Sequence, residues 1–212
     1  NYFSPKVMNN KKRGVNMLKK LNEFTPEEFE SQKHPFSIKR LSTTIGAELH
    51  DIDLTKDLSK EEIGHIYNAL LTYKVIFFRD QNITTEEHLR FGQYFGELEI
   101  HPFAPLGTNR EDHPEVLRIT HDEENKPKEN AWHSDVTWRQ EPSLGSILRM
   151  IETPPVGGDT LFASMESAYE NLPDAIKEKI DGTYAVHDFT IFRKRLEKQG
   201  KTPEEIEAFN KK

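Results

Sequence analysis

Apolar positions along this chain follow two periods. Ile63, Ile66, Tyr67, Leu70 and Leu71 share one helical face, and Ser59-Lys60-Glu61-Glu62 ahead of them has capping-box spacing. The same start signal occurs at Thr25-Pro26-Glu27-Glu28, at Thr84 with Glu87, and at Thr202-Pro203-Glu204-Glu205. It predicts a short first helix, a helix carrying Leu89, Phe91 and Phe95 that stops at Gly96, and a last helix. Two further helical pieces are expected at 164–171 and 173–180, the second ended by Gly182. Short alternating or continuous apolar runs predict strands at 36–41, 45–49, 75–78, 116–120, 131–138, 144–151, 159–163 and 184–189. The Pro-, Gly- and Asn-rich stretch 102–114 reads as loop, and the polar stretch 121–129 as a mobile flap. Many short strands with helices mainly ahead of them give the expected fold class: mainly β with helices, a jelly-roll-like core under helical cover.

Composition narrows the function classes. The chain has 212 residues, 34% hydrophobic and 31% charged, with a net charge of −7. No run approaches the roughly 18 apolar residues that span a bilayer, and the negative charge argues against general nucleic-acid binding. There is no cysteine, which excludes disulfides, Cys-ligated metals and thiol nucleophiles and fits a cytoplasmic location. The first 22 residues carry six Lys or Arg and no acid. A transit peptide shares that composition. The reading taken is a flexible basic extension over 1–35, ahead of one domain over 36–212. The chain opens on Asn1, as a processed chain or a fragment would.

The stretch Ala131-Trp132-His133-Ser134-Asp135-Val136-Thr137-Trp138 carries the candidate chemistry. In a strand, side chains two apart share a face with Cα atoms about 6.6 Å apart. An imidazole and a carboxylate so placed can converge on one ion, as two members of a two-His, one-carboxylate triad for non-haem iron. A His–Asp hydrogen bond is the other reading of the pair. Two more His-x-acid triplets occur, His113-Pro114-Glu115 and His121-Asp122-Glu123. The first is broken by a proline, and the second lies in the polar stretch.

Five blocks in order resemble the taurine/alkylsulfonate dioxygenase family of Fe(II)- and 2-oxoglutarate-dependent enzymes. They are Ile45-Gly46-Ala47-Glu48 with Asp51-Ile52-Asp53-Leu54; Val75-Ile76-Phe77-Phe78-Arg79-Asp80-Gln81; Phe95-Gly96-Glu97-Leu98 running into Ile100-His101-Pro102; the His133 stretch; and Pro155-Val156-Gly157-Gly158-Asp159-Thr160-Leu161. The resemblance implies a double-stranded β-helix core, lacking its C-terminal strands in this chain. It implies His133 and Asp135 as iron ligands and Thr160 as a hydroxyl contact to 2-oxoglutarate. It also implies His101 on the substrate's sulfo group and Val136 in the substrate pocket. Halogenating relatives lack the carboxylate, so Asp135 points to hydroxylation.

The family's third ligand, a later His, and the Arg that anchors 2-oxoglutarate are not identifiable here. His187, the only His after His133, resembles a family histidine without a metal role and is assigned a structural or pocket-lining part. Where taurine enzymes carry an aromatic residue three positions after the substrate histidine, this chain has Ala104. That substitution leans toward longer alkyl sulfonates or alkyl sulfates. The resemblance thus implies O₂-dependent hydroxylation of the carbon next to a sulfonate or sulfate, releasing sulfite or sulfate plus an aldehyde. The alternatives are the same chemistry on an aryloxyacetate or a xanthine, and a non-catalytic β-fold binding protein with an incomplete site. Oligomeric state is left open.

Overall fold

The computed structural model describes residues 24–100, 112–124 and 131–210. They fall into two compact units, one drawn from the described residues of 95–150 and 184–210, the other from 24–94 and 151–183.

The second unit is built on a three-stranded sheet of order β1-β2-β3: β1 (Ser37–Arg40), β2 (Ala47–His50) and β3 (Ile76–Phe77). β1 pairs antiparallel with β2, Ser37 opposite His50 and Arg40 opposite Ala47. β2 pairs parallel with β3, Ala47 opposite Ile76. A parallel neighbour needs a crossover, and α2 (Lys60–Tyr73) is that crossover. Its deepest face is Ile66, Ala69 and Tyr73, a helical stripe beside the one the apolar periodicity predicts. The predicted capping boxes form at α1 (Pro26–Glu30), α2 and α3 (Thr85–Gln93). In each, the cap hydroxyl accepts from the third helical N–H and the glutamate accepts from the cap N–H. α4 (Met165–Glu170) and α5 (Asp174–Ile180) lie where helical pieces are expected.

β2 is buried on both faces, which leaves Glu48 inside. Its carboxylate accepts from Lys39 Nζ at 3.0 Å and Arg79 Nε at 2.9 Å. These hydrogen bonds, Lys39 first and Arg79 second, hold it below the usual carboxylate range. Ahead of the sheet, His34 Nε2 donates to the Phe29 carbonyl at 2.6 Å. A carbonyl only accepts, so in neutral His34 Nδ1 is the acceptor, and His65 Nδ1 donates to it across 3.1 Å. Burial, and then the neighbouring His34, lower the pKa of His65 below its ordinary 6.5. The unfolded chain therefore takes up this proton first. Stability is full above about pH 6.5 and falls with pH until the folded value is passed. A thermal midpoint measured from pH 8 to pH 5 should decline in that window, and His65→Gln should shrink the decline.

The first unit holds α6 (Thr190–Lys198) and α7 (Pro203–Asn210). Its core is Phe189, Leu196 and Ile206, with Trp138 and Phe192 packed against them. α7 begins at the Thr202 cap signal. No element was expected over α6, which starts at Phe189 without a side-chain cap.

Several expected strands are corrected. Residues 116–120, 131–138, 144–151, 159–163 and 184–189 form no ladder, and the double-stranded β-helix is not assembled among the described residues. A strand exists through its partner's hydrogen bonds. These segments have the apolar pattern without a paired neighbour, so Ile151, Leu161, Tyr184 and Val186 are at least 70% exposed. The 121–129 flap is described only at 121–124, which are exposed and irregular. The basic segment 1–23 and the loop residues 101–111 lie outside the described residues. No helix among the described residues is long and apolar enough to cross a membrane.

Candidate metal centre

His133 and Asp135 do converge, although not on a strand. Residues 131–134 are irregular and the chain turns over 135–138. Val136 takes a φ of 48°, which ends any extended run, and Arg139 N–H donates to the Val136 carbonyl at 3.1 Å to close the turn. A β-branched residue in the left-handed region is a true outlier, so packing must hold it. Val136 is accordingly buried.

The ring of His133 is oriented by its own neighbour. Nδ1 donates to the Ala131 carbonyl at 2.9 Å, which fixes the proton on Nδ1 and turns the Nε2 lone pair outward. Nε2 then faces Asp135 Oδ1 at 3.7 Å. Two lone-pair atoms aimed at each other repel unless a cation lies between them, either a proton on the imidazole or a metal ion. A gap of 3.7 Å is within the ~4.2 Å that two bonds of about 2.1 Å can bridge. A histidine whose other nitrogen is tied to a carbonyl is also how ligating histidines are commonly set. The donor set of imidazole plus carboxylate suits Fe(II). Both groups are partly open to solvent, so an ion can enter. Among the described residues no group of three or more His, Asp or Glu is arranged to hold a metal.

A cavity of about 330 Å³ adjoins this pair, lined by Asp135, Val136, Glu99, Ser143 and Leu144 among others. That is the size range of small-ligand sites. Val136 is thus in the cavity wall. His187 is exposed, with Nδ1 2.9 Å from Thr137 Oγ1. Thr160 is exposed in an irregular segment of the other unit, after Gly157 and Gly158 at φ 80° and 76°. A Cβ on Gly158 would sit 3.3 Å from the Pro154 ring, so this turn requires glycine there. His101 and Ala104 lie outside the described residues.

Sequence reasoning passed over Glu99 and Arg139. Arg139 is buried and its Nη1 donates to Glu99 Oε1, while Glu99 Oε2 accepts from Ser143 Oγ at 3.1 Å. The one available signal was a lone Arg directly after an aromatic–polar alternation, at Trp138-Arg139.

The profile of the family described as taurine catabolism dioxygenase TauD, TfdA family matches residues 37–212. An alkylsulfatase of Acinetobacter baylyi is 34% identical over 175 residues, 82% of this chain and 53% of that protein. An alpha-ketoglutarate-dependent sulfate ester dioxygenase of Pseudomonas putida is 34% identical, covering 76% of this chain and 51% of its own length. The crystal structure of a taurine dioxygenase from Burkholderia xenovorans is 39% identical with a TM-score of 0.61, over 69% of this chain and 51% of that one. The chain thus spans about half the length of the curated relatives it matches. With the family profile matched from β1 to Lys212, this chain belongs to the taurine catabolism dioxygenase TauD, TfdA family.

Proposed function

We propose that the protein is an Fe(II)- and 2-oxoglutarate-dependent dioxygenase that hydroxylates the carbon next to a sulfate or sulfonate group. The observation that carries this is the His133–Asp135 pair, lone pair to carboxylate at 3.7 Å beside a ligand-sized cavity. Fe(II), when bound, supplies the redox chemistry that couples O₂ to the oxidative decarboxylation of 2-oxoglutarate. His133 Nε2 and Asp135 hold it, and a third protein donor belongs with them. The family resemblance of the Gly-Gly-Asp-Thr segment assigns the Thr160 hydroxyl to a 2-oxoglutarate carboxylate, to which a hydroxyl can donate. Val136 gives the pocket an apolar wall that excludes water from the reacting carbon. His101 donates to the anionic sulfo group.

For an alkyl sulfate, hydroxylation leaves carbon bearing both a hydroxyl and the sulfate oxygen. The new hydroxyl gives up its proton as the carbon–oxygen bond to sulfate breaks, so the carbon becomes an aldehyde and the proton leaves with the sulfate as hydrogen sulfate, while 2-oxoglutarate, having taken the other oxygen atom of O₂, leaves as succinate and CO₂. Residues 36–212 are the N-terminal and central part of the catalytic domain in this reading, with a double-stranded β-helix as its core; of the expected 1–35 extension, α1 is instead packed into the sheet-bearing unit through Phe29. A cytoplasmic site of action accords with the absence of cysteine.

The test is turnover of full-length protein with Fe(II), 2-oxoglutarate and O₂ across a chain-length series of alkyl sulfates and sulfonates, with taurine and an aryloxyacetate as comparators. Sulfate or sulfite should appear in step with succinate. Each methylene accommodated should raise kcat/KM by about tenfold until the pocket is full. A strict taurine preference would overturn the long-chain assignment. Turnover of the aryloxyacetate alone would overturn the sulfur chemistry, and no Fe(II) binding at all would leave a binding protein.

A further inference from the structure

Each residue of the turn behind Asp135 is tied down by a different device. Val136 is buried to 4% exposure in its left-handed conformation. Thr137 Oγ1 meets His187 Nδ1 at 2.9 Å. The Trp138 ring lies 5.3 Å from that of Phe189 and 4.7 Å from that of Phe192, centre to centre. Arg139 is the odd member. Its side chain is 3% exposed, yet among the described residues only Nη1 has a partner, Glu99, and the buried Nε and Nη2 donors have none.

A guanidinium buried with two unmet donors is a poor way to gain stability, since a matched apolar pair would serve as well. What a charged pair adds is direction and a fixed anchor point. The anchor here is informative. Glu99 lines the cavity beside Asp135 and is itself steadied by Ser143. Along the chain it lies two residues before His101. One ion pair therefore joins the segment leading to the candidate substrate histidine with the turn that follows the candidate metal carboxylate.

We propose that Arg139 is a positioning residue, clamped by Glu99, that holds the Val136 turn so that Asp135 faces His133 Nε2. This rests on the metal-centre reading above. The clamp acts through Asp135 and touches no reacting atom. Its loss should weaken the metal site by more than it weakens the fold, in the way that supporting partners of metal ligands commonly do.

The experiment measures the Fe(II) dissociation constant by anaerobic titration, and the thermal midpoint of the metal-free protein, on full-length wild type, E99Q, R139M, E99M/R139M and D135A. The single variants should bind Fe(II) about 10- to 100-fold more weakly. The double variant removes both charges, so it should fold with a midpoint at or above wild type and still bind at least about tenfold more weakly. Wild-type affinity in the double variant, with affinity lost in D135A, would overturn the positioning role and leave the metal centre standing. Should the double variant fail to fold, E99Q decides, because it keeps the shape and removes only the charge; unchanged affinity there overturns the proposal. Wild-type affinity in D135A would bring down the metal centre and this proposal with it.

Discussion

Asp135→Ala is expected to raise the Fe(II) dissociation constant by more than about 100-fold, because changes in groups merely supporting a ligand already account for roughly 10- to 100-fold. The same variant should change the stability of the metal-free protein by under about 1 kcal/mol. Its carboxylate is 37% exposed, and a half-solvated His–Asp contact contributes little to folding. The two effects differ in scale, which separates the competing accounts of the pair. If a proton is what lies between His133 and Asp135, removing the carboxylate leaves metal affinity where it was. If an ion lies there, one of its charged donors is gone. Addition of 2-oxoglutarate to the anaerobic Fe(II) complex should give a weak visible charge-transfer band in the wild type, and Asp135→Ala should abolish it. His133→Ala should behave alike, since its Nε2 is the other half of the grip.

The reason the sequence located this pair while misreading its backbone is instructive. A His-x-Asp spacing puts the two groups on one side in a strand. The structure brings them together across an irregular segment that turns at Val136. Proximity in sequence was enough for the contact, and the extended conformation was not needed. Local signals were legible throughout the chain. Thr25, Ser59 and Thr84 cap helices as their spacing to Glu28, Glu62 and Glu87 requires, because a cap involves residues three apart and nothing else. The helix α6 carries no such box: Phe189 offers its first turn no side-chain acceptor, the Thr190 N–H donates to Asp188 Oδ1 at 3.0 Å, and Leu196 packs against Phe189 and Ile206. Pairings across long separations were illegible for the same physical reason. Glu99 and Arg139 are 40 residues apart, and no periodicity announces that one will neutralise the other. The apolar runs at 144–151 and 184–189 look like strands, but a run cannot name its partner, and among the described residues none lies alongside.

Phe29→Ala is expected to be the most destabilising single truncation in the sheet-bearing unit, at about 4 kcal/mol, the range found for emptying a fully enclosed aromatic site. Phe29 is the one buried residue of a five-residue helix, and its exposure is 0%. So short a helix cannot persist by itself, so α1 depends on this ring. The ring meets Tyr73 of α2 edge-on at 6.0 Å and His34 at 4.2 Å between centres. Its carbonyl is the acceptor that fixes the tautomer of His34, and through it the His34–His65 bond. Removing the ring therefore leaves a cavity between α1 and α2 and loosens a polar chain that depends on the same backbone. The exposed ion pairs nearby, Arg40 with Glu27 and Glu30, cannot compensate, because solvent screens them. Thermal unfolding should show a fall in midpoint of roughly 8–16 °C for a chain of this size. Phe29→Leu, which keeps most of the volume, should lose less than half of that. A midpoint in Phe29→Ala within a degree or two of wild type would mean that α1 is not held by this contact, and that the sheet-bearing unit folds without it.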